Sequence, residues 1–231
     1  MEIDKDLSLE ILNNKFPAAV EYLKEIFLVN RDYGIVKNSV IAKRLGVSKP
    51  AVTQAMKRLK KFGLIDQDLY GAICLSAAGR SIAAKVLKRH YLLEHLLIGK
   101  LDYPWVKSDE EAERIQSTLS DEFTDYLYEK LGRPQACPHG NPFPGSDSEE
   151  AVLSASRLIE AEPGAGGRII RITEEGEAVE GLLQFCNDND FKPGVVFSVG
   201  EAAEDGVNIT VSERSLFVPS VFAGYICYEE A

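Results

Sequence analysis

The sequence predicts a mainly α N-terminal region followed by a small all-β C-terminal domain. Three observations carry that prediction. Up to about Leu131 the apolar residues recur at helical spacing. Beyond Ser148 the chain turns to short β-rich runs punctuated by Gly: GRIIRIT, VVFSVG, VNITVSE and SLFVPSVFAGYICY. Between them CPHGNPFPGSDSEE, Cys137 to Glu150, is crowded with Pro, Gly and Ser and reads as a loop that ends a domain, with a boundary near Ser148.

The elements follow in order. Pro17 to Asn30 places Val20, Leu23, Ile26 and Phe27 on one helical stripe. Lys37 to Leu45 gives a short second helix with Val40, Ile41 and Leu45 on its apolar face and Asn38 or Ser39 as N-cap. Gly46 suits a helix-terminating turn. Ser48-Lys49-Pro50 then reads as an N-cap followed by a first-turn proline, opening a third helix through Lys61 that Gly63 closes. Helix, Gly-containing turn and a helix with polar leading turns make the helix-turn-helix arrangement. Leu64-Ile65 and Ala72 to Leu75, two strand-like pieces around a turn, supply a wing. A long helix follows from Leu75-Ser76 through about Leu97, and another helical stretch from Asp109 to Leu131; these two can pair with their copies in a dimer. The β-rich remainder, with one helical piece from Ala178 to Cys186, describes a small barrel of the SH3 type. The expected division is a winged helix-turn-helix domain over 1–75, a helical dimerisation domain over 76–148 and the β-domain over 149–231.

Composition bounds the function. At 231 residues and 45% apolar the chain is long enough for packed cores, which argues against disorder. No apolar run reaches the roughly 18 residues that a membrane helix needs, and no secretory signal opens the sequence, so a cytoplasmic protein without a membrane partner is expected. Cys74, Cys137, Cys186 and Cys227 lie far apart with no CxxC pair, so neither a disulfide framework nor a structural zinc finger is indicated. The net charge of -10 conceals an asymmetry. From Gly34 to His90, twelve Lys or Arg face only Asp66 and Asp68, a balance of +10 that leaves -20 on the rest. One segment therefore suits an acidic polymer such as double-stranded DNA.

Two spacings suggest a metal site. His90 and Glu94, four apart on the long helix, project from one face and can grip one cation, while His95 points elsewhere. Cys137 and His139, separated by a proline in a turn, can present a thiolate and an imidazole to one ion. The same pair could instead be the nucleophile and base of a thiol enzyme, but nothing supplies an orienting group or oxyanion hole, and a non-enzyme is expected.

From Val20 to Gly145 the sequence resembles the diphtheria-toxin-repressor and manganese-repressor family, including its streptococcal and treponemal branches. The segments that carry the likeness are EYLKEIF, IAKRLGVSKPAVTQAMKRLKKFGLI, LSAAGRSIAAKVLKRHYLLEHLL, EEAERIQSTLSDE and CPHGNPFPG. The β-rich remainder looks like the family's SH3-like (FeoA-type) domain. The resemblance implies a metal-responsive, homodimeric transcriptional regulator of metal-ion homeostasis genes, a repressor, activated by Mn2+ or Fe2+, with Zn2+ able to occupy a purified sample.

It also implies residue roles. Ser48, Pro50 and Gln54 match positions that face bases or thymine methyl groups, with Gln54 the foremost base reader. Lys49, Thr53, Lys57, Lys43 and Arg44 are placed for phosphates, and two heads on a symmetric dimer demand a palindromic operator. In one branch the positions matching His90 or Glu94, Cys137 and His139 form a metal site that a C-terminal carboxylate completes, here Glu177 with Glu175 as second choice. The family's other site, regarded as the activating switch, is degenerate: Glu21 and Glu113 are acceptable, but the usual Glu-His is Gln116-Ser117 and a further carboxylate position is Lys24. Gln116 offers a neutral amide oxygen, and Lys24 repels a divalent ion. Lys24 is expected to pair with Glu21 or Glu113 and hold the helices as a metal would. The alternative function is a regulator of the same fold that binds DNA without metal or answers another signal. The β-domain can also serve as a protein-binding adapter.

Overall fold

The structure, a computed structural model, describes Leu12, residues 15–67 and residues 71–230. It divides into two compact units, one ending at Lys88 and the other starting at Arg89.

The first unit begins with α1 (Ala19–Tyr33), which buries Val20, Leu23, Ile26 and Phe27 as the helical stripe requires. Next is α2 (Asn38–Arg44), with Lys37 rather than Asn38 or Ser39 in the capping position and no side chain bonded to the helix end. The cap is missing because the Asn38 amide faces elsewhere, donating to Thr53 and accepting from Gln67. Gly46, at φ +63°, turns the chain in the left-handed region where a side chain would be strained. Ser48 then caps α3 (Lys49–Lys61), its hydroxyl accepting from the Ala51 amide at 3.3 Å with Pro50 in the first turn. The buried face of α3 is Val52, Ala55, Met56 and Leu59. The wing is an antiparallel pair, β1 (Ile65–Gln67) and β2 (Ile73–Leu75), with Ile65 opposite Leu75. The tip of its expected turn, 68–70, lies outside the described residues.

Helix α4 (Ala77–Leu101) starts directly after the wing and contains the boundary between the units. In the second unit the expected single helical stretch from Asp109 to Leu131 is broken. It forms α5 (Ser108–Ile115), a 3-10 turn over Gln116–Thr118 and α6 (Asp121–Lys130). The break follows from Leu119 being extended and Ser120 starting a new helix, its hydroxyl accepting from the Phe123 amide at 3.1 Å. Leu93, Leu97 and Ala112 pack α4 against α5.

After α7 (Glu149–Leu153) comes a six-stranded sheet in the order β3-β8-β4-β5-β6-β7: β3 (Ser156–Arg157), β4 (Gly166–Ile172), β5 (Val196–Ala203), β6 (Gly206–Val211), β7 (Arg214–Pro219) and β8 (Ile226–Glu230). Every pairing is antiparallel. Alternation along β4 and β6 sends Ile169, Val207 and Ile209 into a core with Phe191 and Phe197, consistent with an SH3-like domain. Of the expected helical piece at Ala178–Cys186, residues 182–186 are helical, in α9 (Leu182–Asp188), while 178–181 form a turn that separates it from a preceding short helix, α8 (Glu174–Glu177). The segment before β8 adds α10 (Ser220–Ala223). Among the described residues no helix is long and apolar enough to cross a membrane.

Candidate metal centre and nucleic-acid interface

On the exposed side of α3, Lys49, Pro50, Thr53, Gln54 and Lys57 face solvent, and Ser48 at its N-cap and Lys43 on α2 do too. Thr53 also spends its hydroxyl on the Lys49 carbonyl, 3.0 Å away. Beside them opens a cavity of about 800 Å³ lined by Lys37, Asn38, Lys49, Lys57, Lys60 and Gln67, among others. One reading is adjusted here. Arg44 is not a free phosphate contact, because its guanidinium is ion-paired with Glu25 and both side chains are largely covered. Lys60 and Gln67, and Asn38 beyond its reading as a helix cap, were not assigned to this face from the sequence. Gln67 donates from the wing to Asn38 (2.9 Å), which in turn donates to Thr53 (3.4 Å), tying wing and helices together. That link needs a wing register that α-helical periodicity does not reveal.

The second unit gathers its acidic and ligating side chains from four places. α4 contributes His90 and Glu94, and α5 contributes Asp109 and Glu113. The loop after α6 contributes Cys137 and His139, and α8 contributes Glu174 and Glu177. The loop is shaped by its own backbone. The Gly140 amide donates to the Cys137 carbonyl (2.9 Å) and the Cys137 amide to the Asn141 carbonyl (2.8 Å). Gly140 sits at φ +91°, and a Cβ there would lie 2.0 Å from the Ile170 carbonyl oxygen, so only glycine lets the loop lie against β4. The Ile172 amide donates to the His139 carbonyl, and the Asn141 amide group donates to both the Ile172 carbonyl (2.8 Å) and Glu177 Oε1 (2.5 Å). Arg171 Nε donates to Asn141 Oδ1 at 2.8 Å, fixing that orientation. Thr173 caps α8, so Glu174 and Glu177 fall on one face of its single turn.

The result is a buried cluster. One ligand atom from each of Glu94, Cys137 and His139 lies within 4.8 Å of the others, and the same holds for Glu94, Asp109 and Glu177. His139 Nε2 faces the Trp105 carbonyl at 3.4 Å, which suits a ring protonated there with its Nδ1 lone pair free. Yet Nδ1 is 2.8 Å from Glu94 Oε1 and 3.2 Å from Glu177 Oε2. None of these three atoms, nor Glu94 Oε2, makes a hydrogen bond of acceptable geometry among the described residues, although all are buried. Buried acceptors converging on a lone pair fit a cation between them, and the mixed N, O and S donors fit a divalent transition ion.

Electrostatics agree. Burial, reinforced by Glu174, Glu94 and Asp109 and opposed by Arg171, pushes the Glu177 carboxyl well above its ordinary range. Burial and then the charges of Glu94, Glu177 and Glu174 do the same to the Cys137 thiol. Burial pulls His139 down, but Glu94 and Asp109 outweigh it and raise its value.

His90 and Glu94 project from one face of α4 as the i,i+4 spacing requires, and His90 also has acidic neighbours on α5. His90 and Glu94 approach to 4.0 Å, and His90 meets Asp109 through Nε2 (3.1 Å) and Glu113 through Nδ1 (3.6 Å). Asp109 and Glu174 were missed in the sequence because acids in the first turn of a helix are ordinarily explained by the helix dipole. Glu175, the second-choice carboxylate, belongs to none of the clusters. His95 turns to the Ala136 carbonyl, 2.7 Å away. Of the degenerate set, Glu21 is exposed on α1, Glu113 faces His90, and Gln116 is buried with its amide oxygen lacking a donor among the described residues. Lys24 is buried and engaged within the protein.

Fold and site together define a winged-helix protein with a buried cluster of carboxylate, imidazole and thiol side chains that could hold a metal ion. Comparison narrows the class. Residues 17–73 match the iron-dependent repressor N-terminal DNA-binding domain, and residues 76–145 match the iron-dependent repressor metal-binding and dimerisation domain. The iron-dependent repressor IdeR of Mycobacterium tuberculosis is 30% identical over 82% of this chain and 86% of its own. The diphtheria toxin repressor of Corynebacterium jeikeium is 28% identical over 86% and 90%. A manganese-dependent transcriptional repressor solved with manganese superposes with a TM-score of 0.80 at 27% identity, covering 92% of this chain and all of that one. The chain belongs to the diphtheria-toxin-repressor and manganese-repressor family of metal-dependent transcriptional repressors, which are not enzymes.

Proposed function

We propose that this protein is a cytoplasmic, homodimeric repressor that reads a palindromic operator when a divalent ion, Mn2+ or Fe2+, is held by Glu94, Cys137, His139 and Glu177. The observation that carries the proposal is the convergence of buried carboxylate oxygens on His139 Nδ1, an arrangement that a divalent ion would satisfy in place of protons. Once bound, the ion supplies positive charge that replaces protons and holds α4, the 137–141 loop and α8 to one point. Asn141 and Arg171 orient Glu177, and the Trp105 carbonyl orients His139. The exposed face of α3 then does the reading, with Ser48, Pro50 and Gln54 toward bases and Lys43, Lys49, Thr53 and Lys57 toward phosphates. The working domains are 1–75 for DNA, 76–148 for dimerisation and metal, and 149–231 for the SH3-like module.

Glu21, Glu113 and Gln116 do not make a conventional activating site in this account, since Gln116 brings no charge and Lys24 brings the wrong one. The test is an operator titration at fixed salt, run with chelator and then with Mn2+, Fe2+ and Zn2+. DNA should be selected from random duplexes by the metal-loaded protein. Tightening by about 1–3 kcal/mol of coupling with metal supports the reading. Equal affinity in chelator makes the protein a metal-independent regulator of the same fold.

A further inference from the structure

We propose that Asn38 and Gln67 are positioning residues for operator recognition: they fasten the wing to both helices of the reading head, and base discrimination depends on them although neither belongs to α3. This inference rests on the DNA-binding reading of the preceding section. The Gln67 amide group commits both of its hydrogens, one to Asn38 Oδ1 at 2.9 Å and one to the Gly71 carbonyl at 3.1 Å. One side chain thus joins β1 to the chain entering β2 and to α2. Asn38 passes the link on, donating to Thr53 Oγ1 at 3.4 Å, and Thr53 donates to the Lys49 carbonyl at 3.0 Å. Every donor in this chain points the same way, from the wing to the opening of α3, and each donating group is neutral.

Further contacts make the link rigid. The Ile73 amide of β2 donates to the Val36 carbonyl at 3.0 Å, just before α2. Lys60, in the last turn of α3, donates to the Gln67 carbonyl at 2.7 Å and pairs with Asp66 at 3.3 Å. The wing is therefore held at the start of α2 and toward both ends of α3. A single contact would leave a hinge, whereas contacts at separate points fix an angle. Asn38, Thr53, Lys60 and Gln67 all line the open cavity of about 800 Å³ beside α3, where water competes for the same groups, so these bonds add little to folding. Their effect is geometric. A paired contact from Gln54 to a base edge tolerates little displacement, and backbone contacts from neighbouring elements set how α3 sits in the groove. Thr53 adjoins Gln54, so the chain of bonds runs beside the foremost base reader.

The test compares the full chain with Gln67→Met, which keeps length and bulk but has no donor, and with Asn38→Ala. Operator DNA is selected from random duplexes by the wild type loaded with Mn2+, and anisotropy then gives the affinity for the selected and for a scrambled duplex at fixed salt. Each variant should lose roughly tenfold in the ratio of the two affinities, while its Tm and its affinity for scrambled DNA stay at wild-type values. The double variant should lose no more than either single one, because both cut the same chain of bonds. Thermal melting identifies a variant that fails to fold, and the other then decides. A ratio unchanged in the folded variants overturns the inference, as do losses that add in the double variant or a fall in scrambled-DNA affinity equal to that for the operator. A wild type that binds both duplexes alike overturns the preceding reading, and this one with it.

Discussion

Glu177, Cys137 and His139 each hold a proton more tightly in the folded protein than their ordinary values allow. A raised folded value stabilises the metal-free protein below the ordinary value and loses that contribution as pH rises through the raised one. Metal-free protein should therefore lose thermal stability from the ordinary carboxylate range upward. Because ion binding expels those protons, the metal-induced rise in Tm should grow between about pH 5 and pH 8. Differential scanning calorimetry with chelator or Mn2+ checks this, and a metal effect that shrinks with pH contradicts it. Burial also raises Cys186, to about 12, whereas Cys74 is exposed. Iodoacetamide near neutral pH should modify Cys74 and spare Cys186, as peptide mass mapping would show. At the reading head, Gln54→Ala should cost about 1–3 kcal/mol of discrimination at one base position, while Lys57→Ala should weaken all sequences alike and reduce the salt slope by about 1. Competition against single-base operator variants at several salt concentrations separates the two. Cys137 and His139 were legible because their Pro-spaced turn is unusual. Asp109 and Glu174 were not, since a local sequence cannot show which acids tertiary folding buries together.

At the scale of elements, the clearest signals were caps and turns. Ser48-Lys49-Pro50 marked the start of α3 to the residue, because an N-cap hydroxyl and a first-turn proline act within one turn of backbone. Ser48→Ala should cost about 1 kcal/mol of stability and weaken DNA binding, measurable by denaturant unfolding and anisotropy. The continuous helix over Asp109–Leu131 was misread because polar helical periodicity does not register one extended residue, Leu119, before a new cap at Ser120. Gly140 carries a constraint invisible in sequence, the Ile170 carbonyl against which it packs. Gly140→Ala should destabilise the second unit by roughly 2 kcal/mol and abolish the thiolate absorption band of bound Co2+, since it displaces Cys137 and His139 together.

Across the whole molecule, the order of helices, wing and β-rich segment was legible because each obeys its own hydrophobic period. The basic stretch from Gly34 to His90 foretold the DNA-binding role against an acidic total. The mutual orientation of Glu94, His139 and Glu177 was beyond reach, for it depends on the stitching of the 137–141 loop to β4. Symmetric action by two copies predicts that scrambling one half of the selected operator weakens binding far more than scrambling equally many flanking bases. The most direct check of the central claim is operator affinity against free Mn2+ for the wild type and Glu94→Gln, which removes the buried charge and keeps the shape. The wild type should tighten steeply with Mn2+ while Glu94→Gln stays at the chelator-treated affinity; an identical metal response in both would contradict the assignment of the switch to this cluster.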